Sequence, residues 1–440
     1  MKLKNKTLMH KMSLALAPIA LLMTVQAASA DELDSLGAAL GGGKTNFATQ
    51  YRYESVETPS STKTTAKAST LGARLGYETG DYHDLAVNVQ VQGVWGNKQY
   101  ADGQLNGNGQ SSTTMNSVND PAGVSVNSAH LIYRGIADTT IRQGRQIIRY
   151  DDDRWVGNVD WRQNWQSFDA TSVTNKSLAD TTIQAAYVTN VNRPSGDGAL
   201  VNGSGISNGN THMKSTLLNV NNKSLSFADV VAYSYRLDYN SQFNANASNG
   251  NAQTFGSTNT TGLKLAKNGI DVAGFKFGWV AEMAQQKNFA LNSTEYNARY
   301  TNINANVGGS LGNIKLGQEV LGSDNGVGVQ TPLATLFAFN GWADMFLVTP
   351  TTGLKDSYIK GRSNAMGIVY GADYHQFKAD QGGQGLGREL DLIAEKQLDK
   401  NFMVGARAAR FKADNPGSTV TGGVTLLDTN KMWLYGSFKF

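Results

Sequence analysis

Apolar and polar residues alternate with a period of two along most of the chain. Phe47, Thr49, Tyr51 and Tyr53 interleave with Ala48, Gln50, Arg52 and Glu54. Leu71, Ala73, Leu75 and Tyr77 interleave with Gly72, Arg74, Gly76 and Glu78. Leu85, Val87, Val89 and Val91 do so with Asn88, Gln90 and Gln92. The pattern returns in Val231-Tyr233-Tyr235-Leu237, Phe275-Phe277-Trp279-Ala281-Met283, Met366-Ile368-Tyr370-Ala372-Tyr374 and Phe402-Val404-Ala406-Ala408. Successive side chains of a strand point to opposite faces. Each segment therefore predicts a strand with one apolar face and one face rich in Arg, Glu, Gln, Gly and Lys.

Alternation alone fits a soluble sandwich or a transmembrane barrel, and three further features choose between them. Connections differ in length: Thr79–His83, Leu398–Asn401 and Lys267–Ile270 read as tight turns, whereas 96–123, 190–210 and 239–253 are long and rich in Asn, Gly and Ser. Short turns at one rim and long loops at the other are the barrel pattern. Tyr53, Tyr77, Trp95, Tyr133, Tyr187, Trp279 and Tyr374 fall near strand ends on the apolar face, where a headgroup girdle sits. Phe440 ends the chain, with Phe438, Leu434 and Met432 in the same parity. A terminal aromatic of this kind resembles the signal read by the barrel assembly machinery, which makes that machinery an expected partner through Phe440. The predicted fold is all-β: a transmembrane, antiparallel, up-and-down β-barrel of about eighteen strands. Sixteen is the alternative if the stretches near Arg145, Met213 and Tyr358 are loops. A closed sheet of this size leaves an aqueous channel.

The N-terminus predicts export. Lys2, Lys4, Lys6 and Lys11 precede an apolar run from Ser13 to Val25, and Ala28-Ser29-Ala30 reads as a cleavage site. Residues 1–30 are thus a cleaved signal peptide, 31–44 a short periplasmic segment and 45–440 the barrel, giving an integral protein of a Gram-negative outer membrane. Removing the leader takes four of the 39 basic residues and none of the 35 acidic ones, so the balance becomes 35 − 35 = 0. A neutral chain gives no electrostatic case for nucleic acid. There are no cysteines, and His10, His83, His130, His212 and His375 have no ligand-like spacing, so neither a metal nor a cofactor is expected. Mean hydropathy is −0.35. After Ala30 no apolar run approaches the roughly 18 residues of a membrane helix.

Three motifs carry candidate chemistry. Gly308-Gly309-Ser310-Leu311-Gly312 matches the G-x-S-x-G pattern, but the alternating Asn313–Val320 follows where a nucleophile elbow needs a helix, so it reads as a turn. Asp151-Asp152-Asp153, flanked by Arg149 and Arg154, reads as a charge-paired loop rather than a cation site. The segment Leu333–Leu347, with Phe337, Phe339, Trp342 and Phe346 between Pro332 and Pro350, is apolar where an external loop belongs. It is a candidate constriction at the barrel mouth, or a patch packed on neighbouring loops.

By parity Arg52, Arg74, Arg134, Arg142, Arg236, Lys264, Lys276, Lys315 and Arg407 line the pore. So do Glu54, Glu78, Asp238, Glu282, Glu319, Asp373, Glu389, Asp391 and Glu395. Bases dominate the first five strands and acids gather from Asp373 to Glu395, which predicts a field across the pore and an ion preference. The alternative is that these groups pair with one another.

Gly144-Arg145-Gln146, Asp152, Trp155-Val156-Gly157-Asn158-Val159, Trp161-Arg162-Gln163-Asn164 and Phe168-Asp169-Ala170 resemble the alginate-export-type outer-membrane barrels. Gln330–Thr335 and Phe339-Asn340-Gly341-Trp342-Ala343-Asp344 look like a second signature of that group. The resemblance implies an eighteen-stranded, monomeric barrel with a channel, and carries Arg52, Arg74, Arg134 and Arg142 over as inward arginines. Alginate exporters are expected to have a strongly basic lumen, which level charges do not supply. The function expected is therefore a porin: passive diffusion of small polar or anionic solutes, with membrane lipid and lipopolysaccharide as surroundings. Polysaccharide export and a plugged structural or adhesive barrel are the alternatives. An enzyme is not expected, because no His shares a convincing strand face with a serine.

Overall fold

The computed structural model describes residues 30–102, 108–196, 209–239, 256–420 and 424–440. The expected signal peptide lies outside them except for Ala30, as do parts of the long stretches 96–123, 190–210 and 239–253. A helix, α1 (Ala30–Gly41), precedes the sheet. Its C-terminal turn sits against the rim, where the Gly80 amide donates to the Ala39 carbonyl at 2.8 Å.

Eighteen strands form one antiparallel sheet. In chain order they begin with β1 (Lys44–Glu57), β2 (Ala66–Glu78), β3 (Leu85–Gly96), β4 (Gly123–Ile136), β5 (Thr139–Gln146) and β6 (Ser167–Asn175). Next come β7 (Thr181–Asn192), β8 (Asn210–Asn222), β9 (Asp229–Leu237), β10 (Thr258–Val272), β11 (Phe275–Asn288) and β12 (Asn297–Gly309). The last are β13 (Gly312–Leu321), β14 (Leu354–Ala365), β15 (Ile368–Lys378), β16 (Gly385–Gln397), β17 (Phe402–Ala413) and β18 (Thr429–Lys439). Each pairs with its neighbours in sequence, and β1 pairs with β18, Tyr53 lying opposite Leu434. The sheet is closed. The stretches around Arg145, Met213 and Tyr358 are strands, so the count is eighteen rather than sixteen.

Loop lengths alternate as expected, with short turns at the rim where β1 begins and β18 ends. The Gly308–Gly312 motif is such a turn between β12 and β13. One expected turn is displaced. Lys267–Ile270 is a bulge inside β10, and the chain reverses at Ala273-Gly274, both at positive φ. Ile270 and Val272 continue the ladder by pairing with Phe277 and Phe275, so the apolar alternation overrides the Asn268-Gly269 turn signal.

The outer wall is apolar. Met283 is 64% exposed, Ile303 65%, and Tyr51, Leu75, Trp95 and Leu316 are also exposed. On the lumen side of β1, Arg52 and Glu54 are buried. No helix among the described residues is long and apolar enough to cross a membrane. A closed ladder leaves no backbone group unsatisfied in hydrocarbon, and the greasy outer belt needs lipid against it. This is a membrane-spanning barrel.

Candidate functional site: a lumen narrowed by two inward loops

Two long-rim connections fold into the barrel: 147–166, between β5 and β6, and 322–353, between β13 and β14. They are zipped together by backbone. Val156 bridges Leu333, the Gly157 amide donates to the Leu333 carbonyl at 2.8 Å, and the Thr335 amide donates to the Asp153 carbonyl at 3.0 Å. Buried Gln166 donates through Nε2 to the Gly157 carbonyl at 2.8 Å.

Side chains then fasten this unit to widely separated parts of the wall. Arg154 Nε lies 2.7 Å from Glu319 Oε1 on β13, and both side chains are almost fully buried. Asn340 donates to the other Glu319 oxygen at 2.7 Å and accepts from Arg154 at 3.1 Å. Trp155 Nε1 donates to Glu282 on β11 at 3.0 Å, and Lys264 on β10 reaches Asp152 at 2.8 Å. On the opposite arc, Arg162 pairs with Glu54 of β1 at 3.2 Å and with Asp344 at 3.2 Å. Lys431 of β18 holds the same Asp344 at 2.8 Å. Burial opposes the Arg162 charge, but Glu54, Asp120 and Asp344 outweigh it and raise its pKa above the ordinary value. The Ala343 and Trp342 amides donate to Glu389 (2.7 Å) and Asp391 (3.3 Å) on β16.

Aromatic stacking fills the space between these anchors. Trp161 lies parallel to Phe337 with ring centroids 4.2 Å apart, and the Arg52 and Arg407 guanidiniums sit 5.0 and 4.5 Å from its ring. Phe337 also stacks on Trp342, and Phe346 packs on Phe377 and Phe411 from the lumen side of β15 and β17. Leu333, Phe337, Trp342 and Phe346 are buried, and Phe339 lies under Arg154 at 4.6 Å. The apolar segment is therefore inside the barrel, not spread over its neighbours. A cavity of about 230 Å³ remains beside it, lined by Asn119, Arg162, Arg193, Phe337 and Asp344 among others.

Most of the expected pore residues do face inward. Arg52 pairs with Asp120, Arg407 with Glu395 at 2.9 Å, and Glu319, Asp373 and Asp391 are buried on the lumen side. Arg74 sits over Trp165 at 3.8 Å, while Arg142 and Lys315 are half-buried. Arg134 lies toward the short-turn rim, paired with Glu78 at 2.7 Å and with Asp81. Lys276 is an exposed rim residue paired with Asp271 at 2.6 Å across the β10–β11 turn, not part of the narrowed bore. Arg236 is on the wrong face. On β9 it is Val231, Tyr233, Tyr235 and Leu237 that are buried inward, because Tyr150 and Trp155 of the inserted loop stack against Tyr235 and Tyr233. Arg236 points out with Ser234, and Asp238 shares its parity. Sequence reasoning missed Arg154, Arg162, Asp120, Asp344 and Trp161 as site residues; the density of Arg, Asp and Trp in 149–165 was the available signal. The Asp151–Asp153 run pairs with Lys264 and Arg149, as a charged loop should.

With this geometry in view, comparisons place the fold. No family model matches the sequence, and neither does any curated protein. Solved structures do. OccAB4 of Acinetobacter baumannii superposes with a TM-score of 0.67 at 12% identity, over 90% of this chain and 98% of that one. OpdK of Pseudomonas aeruginosa, solved with vanillate, gives 0.66 at 12% identity, over 91% and 99%. OccD3 (OpdP) of the same organism gives 0.63 at 13%, over 91% and 92%. The chain shares their fold. This corrects the likeness to alginate-export-type barrels: the structural neighbours are Occ/OprD-family outer-membrane porins. Of the blocks that carried that likeness, Trp155–Asn164, Gln330–Thr335 and Phe339–Asp344 lie in the two inward loops, whereas Gly144–Gln146 and Phe168–Ala170 belong to β5 and β6.

Proposed function

We propose that this chain is a passive outer-membrane channel for small polar and anionic solutes. One observation carries the reading. The inward acids are all engaged: Glu54, Glu319 and Glu395 by arginines, Asp373 by Arg362 at 2.9 Å, Asp356 by His375 at 2.9 Å, and Glu389 and Asp391 by loop amides. Among the described residues, Arg74, Arg142 and Lys315 face the lumen with no carboxylate in ion-pair contact. These three cations stand on the lumen wall without a contacting acid, and on this reading they favour anions. The cavity at the loops suits a solute the size of an aromatic monocarboxylate, such as the vanillate bound by OpdK. A long polyanion is disfavoured by the anchored loops crossing the bore. We also assign residues 1–30 as an export signal. Phe440, whose backbone pairs both ways with Phe47 at the seam, is assigned as the assembly signal of a monomeric barrel.

The test is a reversal-potential measurement in a salt gradient across a planar bilayer. The parent should prefer anions, and Arg74→Glu, Arg142→Glu and Lys315→Glu should each move the potential toward cations. Arg236→Glu, on the outer face, should leave it in place. Strong cation selectivity in the parent, or an equal shift from Arg236→Glu, contradicts the assignment.

A further inference from the structure

The outer surface of β14–β17 carries an unbalanced cluster of cations at the long-loop rim. Lys355 lies between inward Leu354 and Asp356, and Lys378 between inward Phe377 and Ala379. Arg388 precedes inward Glu389, and Arg410 and Lys412 flank inward Phe411. All five must therefore point away from the lumen. Lys378, Arg388, Arg410 and Lys412 are exposed and Lys355 is half-buried.

The register brings them together. Lys355 is directly opposite Lys378, and Arg388 is directly opposite Lys412. Gln376, two residues before Lys378, faces Arg388 from the other side. Cross-strand neighbours stand about 5 Å apart at Cβ, and like charges so placed destabilise a sheet. Asp380 and Asp414 lie just beyond the strand ends, two residues past Lys378 and Lys412, without pairing with any of the five. Among the described residues none of the five side chains makes an ion pair, and no acid lies on the outward face of these four strands. Lys360, Arg362 and Arg407 of the same strands instead face inward and are paired with Asp373 and Glu395.

Immediately toward the membrane the outward positions turn apolar: Ile359 on β14, Tyr374 on β15, and Leu390 and Leu392 on β16, each more than 40% exposed. A patch of ammonium and guanidinium groups above a greasy wall matches an amphiphile whose phosphates sit above several acyl chains. The opposite rim of these strands carries Lys396 as its outward cation. The charge is thus placed on the side of the long loops, the cell-exterior side of such barrels.

We propose that Lys355, Lys378, Arg388, Arg410 and Lys412 form a binding site for the phosphates of a bisphosphorylated glycolipid of the outer leaflet. The proposal rests on the reading of the chain as an outer-membrane barrel, and it is independent of whether the pore conducts. Arginine can grip a phosphate bidentately and lysine supplies compact charge beside it, both as charge-assisted hydrogen bonds. Because the protein provides the cations, binding needs no bridging metal ion.

The experiment uses the full-length barrel, purified in detergent and stripped of lipid, in buffer containing EDTA. Native mass spectrometry measures retention of bisphosphoryl lipid A, monophosphoryl lipid A and phosphatidylglycerol. The comparison proteins are the quadruple variant Lys355→Gln/Lys378→Gln/Arg388→Gln/Lys412→Gln, the milder Lys355→Gln/Lys378→Gln pair, and Lys396→Gln at the opposite rim. Bisphosphoryl lipid A should bind the parent at least tenfold more tightly than the quadruple variant, with the pair intermediate and Lys396→Gln like the parent. Monophosphoryl lipid A should bind more weakly and phosphatidylglycerol weakest. Equal retention by parent and quadruple variant overturns the site, or by parent and pair if the quadruple variant does not fold. Phosphatidylglycerol binding as tightly as bisphosphoryl lipid A also overturns it. A parent that binds the lipid selectively yet carries no current removes the channel reading and leaves this one standing.

Discussion

Replacing residues 334–347 by a short Gly–Ser linker is expected to raise single-channel conductance severalfold and to move selectivity toward cations in the same step. The first effect follows from bulk. Phe337, Trp342 and Phe346 lie inside the barrel, packed on Trp161, Phe377 and Phe411, and their removal empties cross-section that a barrel of eighteen strands would otherwise leave to water. The second follows from charge. Asn340 is one of the hydrogen-bond donors to Glu319, and the Trp342 and Ala343 amides donate to Asp391 and Glu389. Without the segment these carboxylates lose partners and face the aqueous bore, opposing the field of Arg74, Arg142 and Lys315. The segment meets β18 through side chains, as at Lys431 and Trp433, and the sheet closes through the backbone ladder of β1 and β18, so the variant should still show heat-modifiable mobility on a gel. A folded variant with the parent's conductance would mean that the segment does not limit flow.

The strands were legible because pairing and lipid contact impose a local rule: every second residue meets the same medium. The inward loops were not, because nothing in a period of two says where a connection goes after it leaves the ladder. β9 illustrates the failure. Its Val231-Tyr233-Tyr235-Leu237 set reads as a lipid face, yet the loop residues Tyr150 and Trp155 bring an apolar surface into the lumen and the strand turns those four inward to meet it. The parity of Arg236 fell with that assumption. On β1, β2 and β13, where the loop presents Arg, Gln and Trp edges or water, the simple rule held and Arg52, Arg74 and Lys315 face inward.

Charge was legible in number but not in use. Inward acids and bases looked balanced along the sequence, and whether they paired with each other or set a field stood open. Both occur. The acids serve as anchors for two loops remote in sequence, as when Glu319 meets Arg154 or Glu54 meets Arg162. Arg74, Arg142 and Lys315 are left on the lumen side without a carboxylate in ion-pair contact. A tally of residue types contains no record of which carboxylates are spent on loop amides.

The same anchoring gives the second large expectation. Arg154→Met should release the paired loops without unfolding the barrel. Glu319 is 3% exposed, and its charge is met by Arg154 Nε at 2.7 Å, with Tyr300 and Asn340 donating to its two oxygens. Removing one member of such a pair strands the other charge, at a cost of about 3–5 kcal/mol. The strands share their own ladder of backbone bonds, so the loss falls on the loops, whose backbone zipper at Val156 and Leu333 is short. The expected readouts are a noisier open-channel current and faster trypsin cleavage after Arg149 and Arg162. Arg154→Met combined with Glu319→Gln should recover much of the quiet behaviour, because the buried site is then neutral. By contrast, Arg149→Gln disturbs pairs with Asp153 and Asp160 from a half-exposed side chain and should cost only about 1 kcal/mol or less. Arg154→Met channels as quiet and as protease-resistant as the parent would show that the aromatic stack alone holds the loops in the bore.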